Sequence, residues 1–214
     1  MAPRKDTTKG PAKPAATGAD AVKADRGTAT RARIIAVATA LFTAHGYEGT
    51  SIETVLRETA LSRGALYHHF SSKDELFVAV LEAVEAEIAE ATVRGSRGSA
   101  TPAAALRAGC GVFLELAQTP KVRQILLRDA PGVIGWQKWR ELDARYGFGL
   151  LRAALEQAAA GGTVRKELVE PFAHMLLAAL IEVALISSRA DVKPAAIRAG
   201  RAALNDLIDR LVGS

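Results

Sequence analysis

Residues 50–73 read TSIETVLRETALSRGALYHHFSSK, two short helical patterns joined by a tight turn and followed at once by a third helix start. Thr50 and Glu53 stand at capping-box spacing. The Thr50 hydroxyl can therefore accept an amide of the first turn while the Glu53 carboxylate reaches back. Ile52, Val55 and Leu56 recur at i, i+3 and i+4, which puts them on one inward face and leaves Glu53, Arg57 and Glu58 outside. Ala60-Leu61 closes the turn, and Ser62 is the N-cap of a second helix expected over 63–69. That helix opens with Arg63, Gly64 and Ala65, and small residues there let a backbone approach a base edge. Ser72 and Glu75 repeat the capping box, with Lys73 in the first turn. Helix N-termini so close together present free amides and positive dipole ends, which are ready phosphate sites. Thr50, Ser51, Tyr67, His68 and Lys73 extend those sites, and Arg63, Gly64 and Ala65 face the bases, so these eight residues are the expected DNA contacts.

Outward from this stretch the chain reads as helix throughout. A first helix is expected over 28–45, with Ile34, Val37, Leu41 and Ile35, Ala38, Phe42 at helical spacing and Gly46 as its stop. The helix that starts at Ser72 runs to about Val93. Gly95-Ser96-Arg97-Gly98-Ser99 breaks the pattern, and Thr101-Pro102 restarts it with proline in the first turn. Further helices are expected over 101–118, 121–129, 134–160, 166–189 and 194–212, separated by Thr119-Pro120, Pro131-Gly132, Gly161-Gly162 and Lys193-Pro194. With 49% apolar residues but only 5% aromatics, and with alanine, leucine, arginine and glutamate dominant, the expected class is all-α. The division is a disordered basic arm over 1–27, a three-helix helix-turn-helix DNA-binding domain over 28–94, and a larger helical ligand-binding and dimerisation domain over 101–214.

Residues 31–84 carry Ala40-Leu41-Phe42, Gly46-Tyr47, Thr50, Leu61-Ser62-x-Gly64, Leu66-Tyr67-His68-His69-Phe70 and Lys73-x-Glu75-Leu76. In that register the chain resembles the N-terminal domain of the TetR (tetracycline-repressor-like) family. Two positions depart from the pattern: Ala60 stands where the family usually has glycine in the turn, and Leu56 where it usually has alanine. The resemblance implies a repressor that binds a double-stranded DNA operator as a homodimer and is released by a small-molecule effector held in the C-terminal domain.

No catalytic constellation competes with this reading. The sequence contains no phosphate-cradling glycine loop with lysine, no Gly-x-Ser-x-Gly elbow and no His-Glu-x-x-His. Its one cysteine, Cys110, cannot form an internal disulfide and reads as a small helix residue. The adjacent His68 and His69 diverge on a helix, and His45 and His174 belong to other segments. No metal and no cofactor is expected. Residues 172–188, FAHMLLAALIEVALISS, are strongly apolar but near the minimum spanning length and carry His174 and Glu182, so a buried helix is expected rather than a membrane span. With a polar, basic N-terminus and no signal-peptide pattern, a cytoplasmic protein is expected.

For the effector, both tryptophans fall in Trp136-Gln137-Lys138-Trp139, three apart, followed by Leu142 and Tyr146. They read either as core or as the wall of an apolar cavity together with Phe113, Leu127 and Tyr146, with Leu114 and Phe148 nearby. For the dimer, apolar stripes at Leu176, Leu180, Val183 and at Ile197, Leu204, Leu207, Ile208, Leu211 could form a four-helix interface, and the resemblance implies the same two helices. Two other classes compete with the regulator: a helical small-molecule-binding protein or enzyme whose motif is incidental, and an architectural DNA binder without an effector. The register of 31–84 argues against the first. About 110 well-patterned residues beyond the break argue against the second.

Charge is unevenly placed. Residues 1–33 hold eight Lys or Arg against three Asp, whereas residues 34–90 hold Arg57, Arg63 and Lys73 against nine acids. The motif therefore lies in an acidic segment, although phosphate neutralisation supplies much of the affinity of DNA binders. Glu82, Glu85, Glu87 and Glu90 lie on the later turns of the helix from Ser72, away from the contact end. The basic arm can supply the missing charge, as minor-groove arms do elsewhere. Deleting residues 1–25 is expected to lower DNA affinity and flatten its salt dependence in fluorescence-anisotropy titrations. An unchanged slope would show that the arm makes no phosphate contact.

Overall fold

The computed structural model describes residues 18–189 and 194–212, and no strand occurs among them. Helix α1 spans Gly18–His45, so the arm expected to be disordered is corrected at its C-terminal end. Residues 1–17 lie outside the described residues, but 18–27 form the opening turns of α1. Residues 18–27, GADAVKADRG, contain no proline and are rich in alanine, so a helix nucleated further on extends into them at little cost.

Gly46 ends α1 with φ 71°, and its amide donates to the Phe42 carbonyl at 2.9 Å. Helices α2 (Ile52–Thr59), α3 (Arg63–His69) and α4 (Lys73–Ser96) follow. Their N-caps are Ser51, Ser62 and Ser72, each hydroxyl accepting the amide three residues on. The expected Thr50 cap is thus displaced by one residue. Thr50 is 1% exposed, and its hydroxyl donates inward to the Gly46 carbonyl at 2.8 Å. The cap belongs to the residue directly before the first buried apolar position, Ile52, and that residue is Ser51. At α4 the box closes one residue early, because the Glu75 carboxylate accepts the amide and hydroxyl of Ser71.

These four helices share a core of Ile34, Ala38 and Phe42 from α1, Val55 from α2, Leu66 from α3 and Phe77 from α4, all essentially buried. Phe42 and Tyr47 meet the Phe77 ring edge-on, each at 5.2 Å between centroids, the arrangement that aromatic quadrupoles favour.

Beyond Ser96 lie α5 (Pro102–Leu116), capped by Thr101, and α6, which starts at Pro120–Val122, winds as a π-helix over Arg123–Asp129 and finishes at Ala130–Val133. The expected break at Pro131-Gly132 does not occur. The wider π turn just before Pro131 removes the clash its ring would make with the carbonyl four residues back, and the chain turns instead at Gly135, φ 80°. Helix α7 comprises Trp136–Asp143, a π segment Ala144–Phe148, and Gly149–Ala160. A 3-10 turn, Lys166–Leu168, leads into α8 (Val169–Ser187), and α9 spans Pro194–Val212. The segment from Lys166 to Ser187 is long and apolar enough to cross a membrane. Here it packs against α5, α7 and α9 with Ala173, Leu176 and Ala184 fully buried.

Ala60, which closes α2, has φ 53° and is the only non-glycine with positive φ among the described residues. A Cβ in that conformation costs roughly 1–2 kcal/mol, partly offset by the greater freedom of glycine in the unfolded chain. Ala60→Gly is therefore expected to stabilise the protein by about 0.5–1 kcal/mol in denaturant unfolding. A loss of stability would show that the turn tolerates its alanine without strain.

Candidate nucleic-acid interface and buried cavity

Helix α3 buries Leu66, and Phe70 just beyond its end is buried as well; the helix turns Arg63, Gly64, Tyr67 and His68 to solvent, with Ala65 half-buried between them. A glycine in a helix costs about 1 kcal/mol relative to alanine, yet no atom lies within 4 Å of where a Gly64 Cβ would stand. Nothing in the described chain requires the glycine, and the open space faces outward. Arg63 is not idle: its guanidinium lies 2.6 Å from the Glu53 carboxylate. The amide of Glu53 itself, and then Arg63, hold that carboxyl below the usual range.

Ser51 lies exposed beside this surface at the start of α2. Lys73 is half-buried, its ammonium 3.8 Å from the centre of the Tyr47 ring, a cation–π contact that orients it at the start of α4. The Tyr47 hydroxyl donates to Asp74. Burial, followed by that hydrogen bond, pushes the phenol up to about 12. Thr50 does not join the surface, since its side chain is buried and its hydroxyl is spent on Gly46.

A second feature lies farther along α4. A cavity of about 280 Å³ is enclosed by α4, α5, the second half of α7, and α8. Ile88, Leu106, Phe113, Leu151, Leu177 and Leu180 supply apolar wall, with Glu85, Thr92, Cys110, Tyr146 and Gln157 as polar members. Burial pushes the Cys110 thiol up to about 12, which keeps it neutral. Of the residues expected to line a cavity, Phe113 and Tyr146 do so. Leu127 is buried in the π segment of α6 and Leu114 in the core, while Phe148 packs on His174 with ring centres 4.4 Å apart.

Of the two readings of the tryptophans, the core one holds for Trp139 and the cavity one for neither. Trp139 is buried at 1% exposure and Trp136 is exposed at 61%; neither reaches the cavity. The π segment between them and Gly149 changes the winding, so the face carrying Trp139 meets the core while the face beginning at Tyr146 meets the cavity. Glu85, expected on the later turns of α4 away from the contact end, lies there and is 2% exposed in the cavity wall. Its signal was available, since Glu85 falls on the register of Phe77, Leu81, Ile88 and Thr92 at spacings of three and four.

The apolar stripes expected to form a dimer are only partly taken up within the chain. Leu176, Leu180, Leu204 and Ile208 are buried within their own chain, and Val183, Ile197, Leu207 and Leu211 are half-buried. The outward faces carry other residues: Pro171, Met175, Ala178 and Glu182 on α8, and Ala195, Ala199, Ala202 and Ala203 on α9.

Two connections join the surface to the helices around the cavity. Helix α4 itself carries Lys73 at its start and Glu85 twelve residues on, a span of about 18 Å at 1.5 Å per residue. In addition, the Asp129 carboxylate at the end of the π segment in α6 accepts the Tyr47 amide at 2.8 Å and the Gln124 side-chain amide at 2.9 Å. Gly46 permits this approach, since a Cβ there would stand 3.0 Å from the Gln124 nitrogen.

The family model described as the tetracyclin repressor-like C-terminal domain matches residues 103–211, and that of the tetR family of bacterial regulatory proteins matches residues 34–80. The chain belongs to the TetR family. TetR proteins are DNA-binding regulators rather than enzymes. Among solved structures, a TetR-family transcriptional regulator from Pectobacterium atrosepticum is 29% identical, with a TM-score of 0.76 over 89% of this chain and 97% of that one. The transcriptional repressor NicS of Pseudomonas putida is 29% identical over 77% of this chain and 78% of its own. The repressor AcnR of Corynebacterium glutamicum is 39% identical over 31% of this chain, a match that covers only 35% of AcnR.

Asp129→Ala would leave the Tyr47 amide without its acceptor, so the protein is expected to lose about 1–3 kcal/mol in denaturant unfolding. A change within experimental error would show that water replaces the carboxylate at no cost.

Proposed function

We propose that this TetR-family chain is a ligand-responsive transcriptional regulator, a repressor released from its operator by a small, largely apolar effector, acting as a cytoplasmic homodimer. The observation that carries this reading is the continuity of α4, which begins at the outward-facing surface with Lys73 and forms cavity wall from Glu85 to Ser96. In this reading residues 28–94 are the DNA-binding domain and 101–214 the effector-binding and dimerisation domain. Ser51, Arg63, Gly64, Ala65, Tyr67, His68 and Lys73 meet DNA; Thr50 acts only by holding the turn before α2.

One recognition helix of this length reads too few bases for genomic specificity, so two copies on half-sites a helical turn or a multiple of it apart are needed. The exposed faces of α8 and α9 are the proposed contact: Met175 is 61% exposed, and the alanines of α9 allow close helix approach. An effector that binds better to one setting of α4 shifts the spacing of the paired α3 helices. Every 1.4 kcal/mol of such preference changes the ratio of the two states about tenfold. The repressor names of NicS and AcnR support the sign of the response.

A genomic footprint followed by gel-shift titration tests the proposal. The complex at the footprinted site is expected to contain two chains. Arg63→Ala should weaken that site by about 1–3 kcal/mol more than random DNA. Equal loss on both would reduce Arg63 to a phosphate contact, and absence of salt-dependent binding to any duplex would sink the regulator reading.

A further inference from the structure

Among the described residues two cations lie over aromatic rings, one at the start of α4 and one at the end of α3. The first is Lys73 over Tyr47. In the second, the Arg31 guanidinium carbon lies 5.0 Å from the centre of the Phe70 ring. Phe70 is the buried C-cap of α3, whereas Arg31 is exposed. Arg31 continues the register of Ile34, Ala38 and Phe42 at spacings of three and four, so it stands one turn before Ile34 on the face of α1 that meets the core. Where that face leaves the core, it sets a guanidinium against the end of α3.

The surroundings leave this cation available. Arg57 and Arg63 are paired with Glu58 and Glu53, but Arg31 makes no ion pair and donates no hydrogen bond among the described residues. The hydrogen bonds from Ser71, and after them Arg31, hold the Glu75 carboxyl below the usual range, which brings the guanidinium near the first turn of α4 as well. A cation over a ring is held by the ring's electron density, so the contact restrains the guanidinium without using its N–H groups. Restraint of that kind lowers the entropy lost on binding, and the planar donor fork suits two oxygens of one phosphate. Residues 26–45 carry three arginines and no acid, so the start of α1 is positive beside an otherwise acidic motif.

We infer that Arg31 is a DNA contact that takes one backbone phosphate beside the end of α3, and that Phe70 positions it. The inference rests on the proposed DNA-binding role and adds a contact from α1 to those from α2, α3 and α4.

Arg33 supplies the control. It is exposed on the same helix and carries the same charge, but lies about 200 degrees round the axis from Arg31. The test is fluorescence-anisotropy titration of the full chain with a random-sequence duplex over a series of salt concentrations. Arg31→Gln is expected to weaken binding roughly three- to tenfold at low salt and to flatten the slope of log K against log salt by about 0.9, the value of one phosphate contact. Arg33→Gln should leave the slope unchanged, and Arg31→Lys should retain it, because an ammonium still pairs with the phosphate. Equal effects of Arg31→Gln and Arg33→Gln would reduce Arg31 to background charge and overturn the inference. A slope unchanged in Arg31→Gln, or lost as fully in Arg31→Lys, would make the role of Arg31 structural and overturn it too. In those cases the unsubstituted protein still binds the duplex with a salt-dependent affinity, so the regulator reading stands; an unsubstituted protein that binds no duplex sinks both.

Discussion

Helix α4 has to satisfy two cores at once, and the rest of the molecule is arranged around that constraint. Its first turns bury Leu76, Phe77 and Val80 against α1, and its later turns pack along α5, with Val84, Glu85 and Ile88 buried. Each fully buried apolar side chain of this size contributes roughly 1.5–3 kcal/mol of transfer free energy, so neither end can rotate or slide without cost to the other. The Ser72 cap and the Ser71–Glu75 hydrogen bonds fix where the helix starts. A rigid element with one end at an outward-facing surface and the other at a cavity is what mechanical coupling requires. The hydrogen bond from the Tyr47 amide to Asp129 gives a second, shorter connection between the same two regions.

Electrostatics at the outward surface are balanced rather than positive. Arg63 is paired with Glu53, and Lys73 lies over Tyr47 next to Asp74. Exposed ion pairs of this kind contribute little to stability. A competing anion can therefore replace Glu53 at Arg63 for a modest loss, and the pair holds the guanidinium at the start of α3. Ion pairs Lys121–Glu87 and Arg145–Glu82 tie α6 and α7 to α4, so some of the acids that made the segment look unfavourable for DNA serve internal contacts.

The helix-turn-helix was legible because its determinants are local. Ser62 and Ser72 as caps, the apolar spacing of Ile52 and Val55, and the breaks before Thr101 and Pro194 are written within a few residues of where they act. Thr50 and Ser51 were harder to separate, since both side chains can cap a helix. The hydrophobic register starting at Ile52 decides between them. The cavity was only half legible. Phe113 and Tyr146 were found by residue type, but residue type could not choose between core and cavity for the tryptophans, because the π segment Ala144–Phe148 breaks the 3.6-residue period that would relate their facing to that of Tyr146. Helices α8 and α9 show another limit: periodicity identifies an apolar stripe without saying which partner covers it, and here the chain itself covers Leu176, Leu180, Leu204 and Ile208 and leaves Val183, Ile197, Leu207 and Leu211 half-buried.

By itself the sequence determined the all-helical class, the order and nearly all the bounds of the helices, and the surface carrying Arg63, Gly64, Tyr67 and His68, because caps, turns and short-range periodicity are interactions between near neighbours. Tertiary structure alone decided that the face of α4 carrying Glu85 borders a cavity, that Thr50 points inward, that Asp129 holds the Tyr47 amide, and that Met175 of α8 and several alanines of α9 are left exposed. Those outcomes depend on which helix faces meet across many residues of sequence, and a one-residue change in helical winding turns each face by about 100 degrees, a rotation that local pattern does not record.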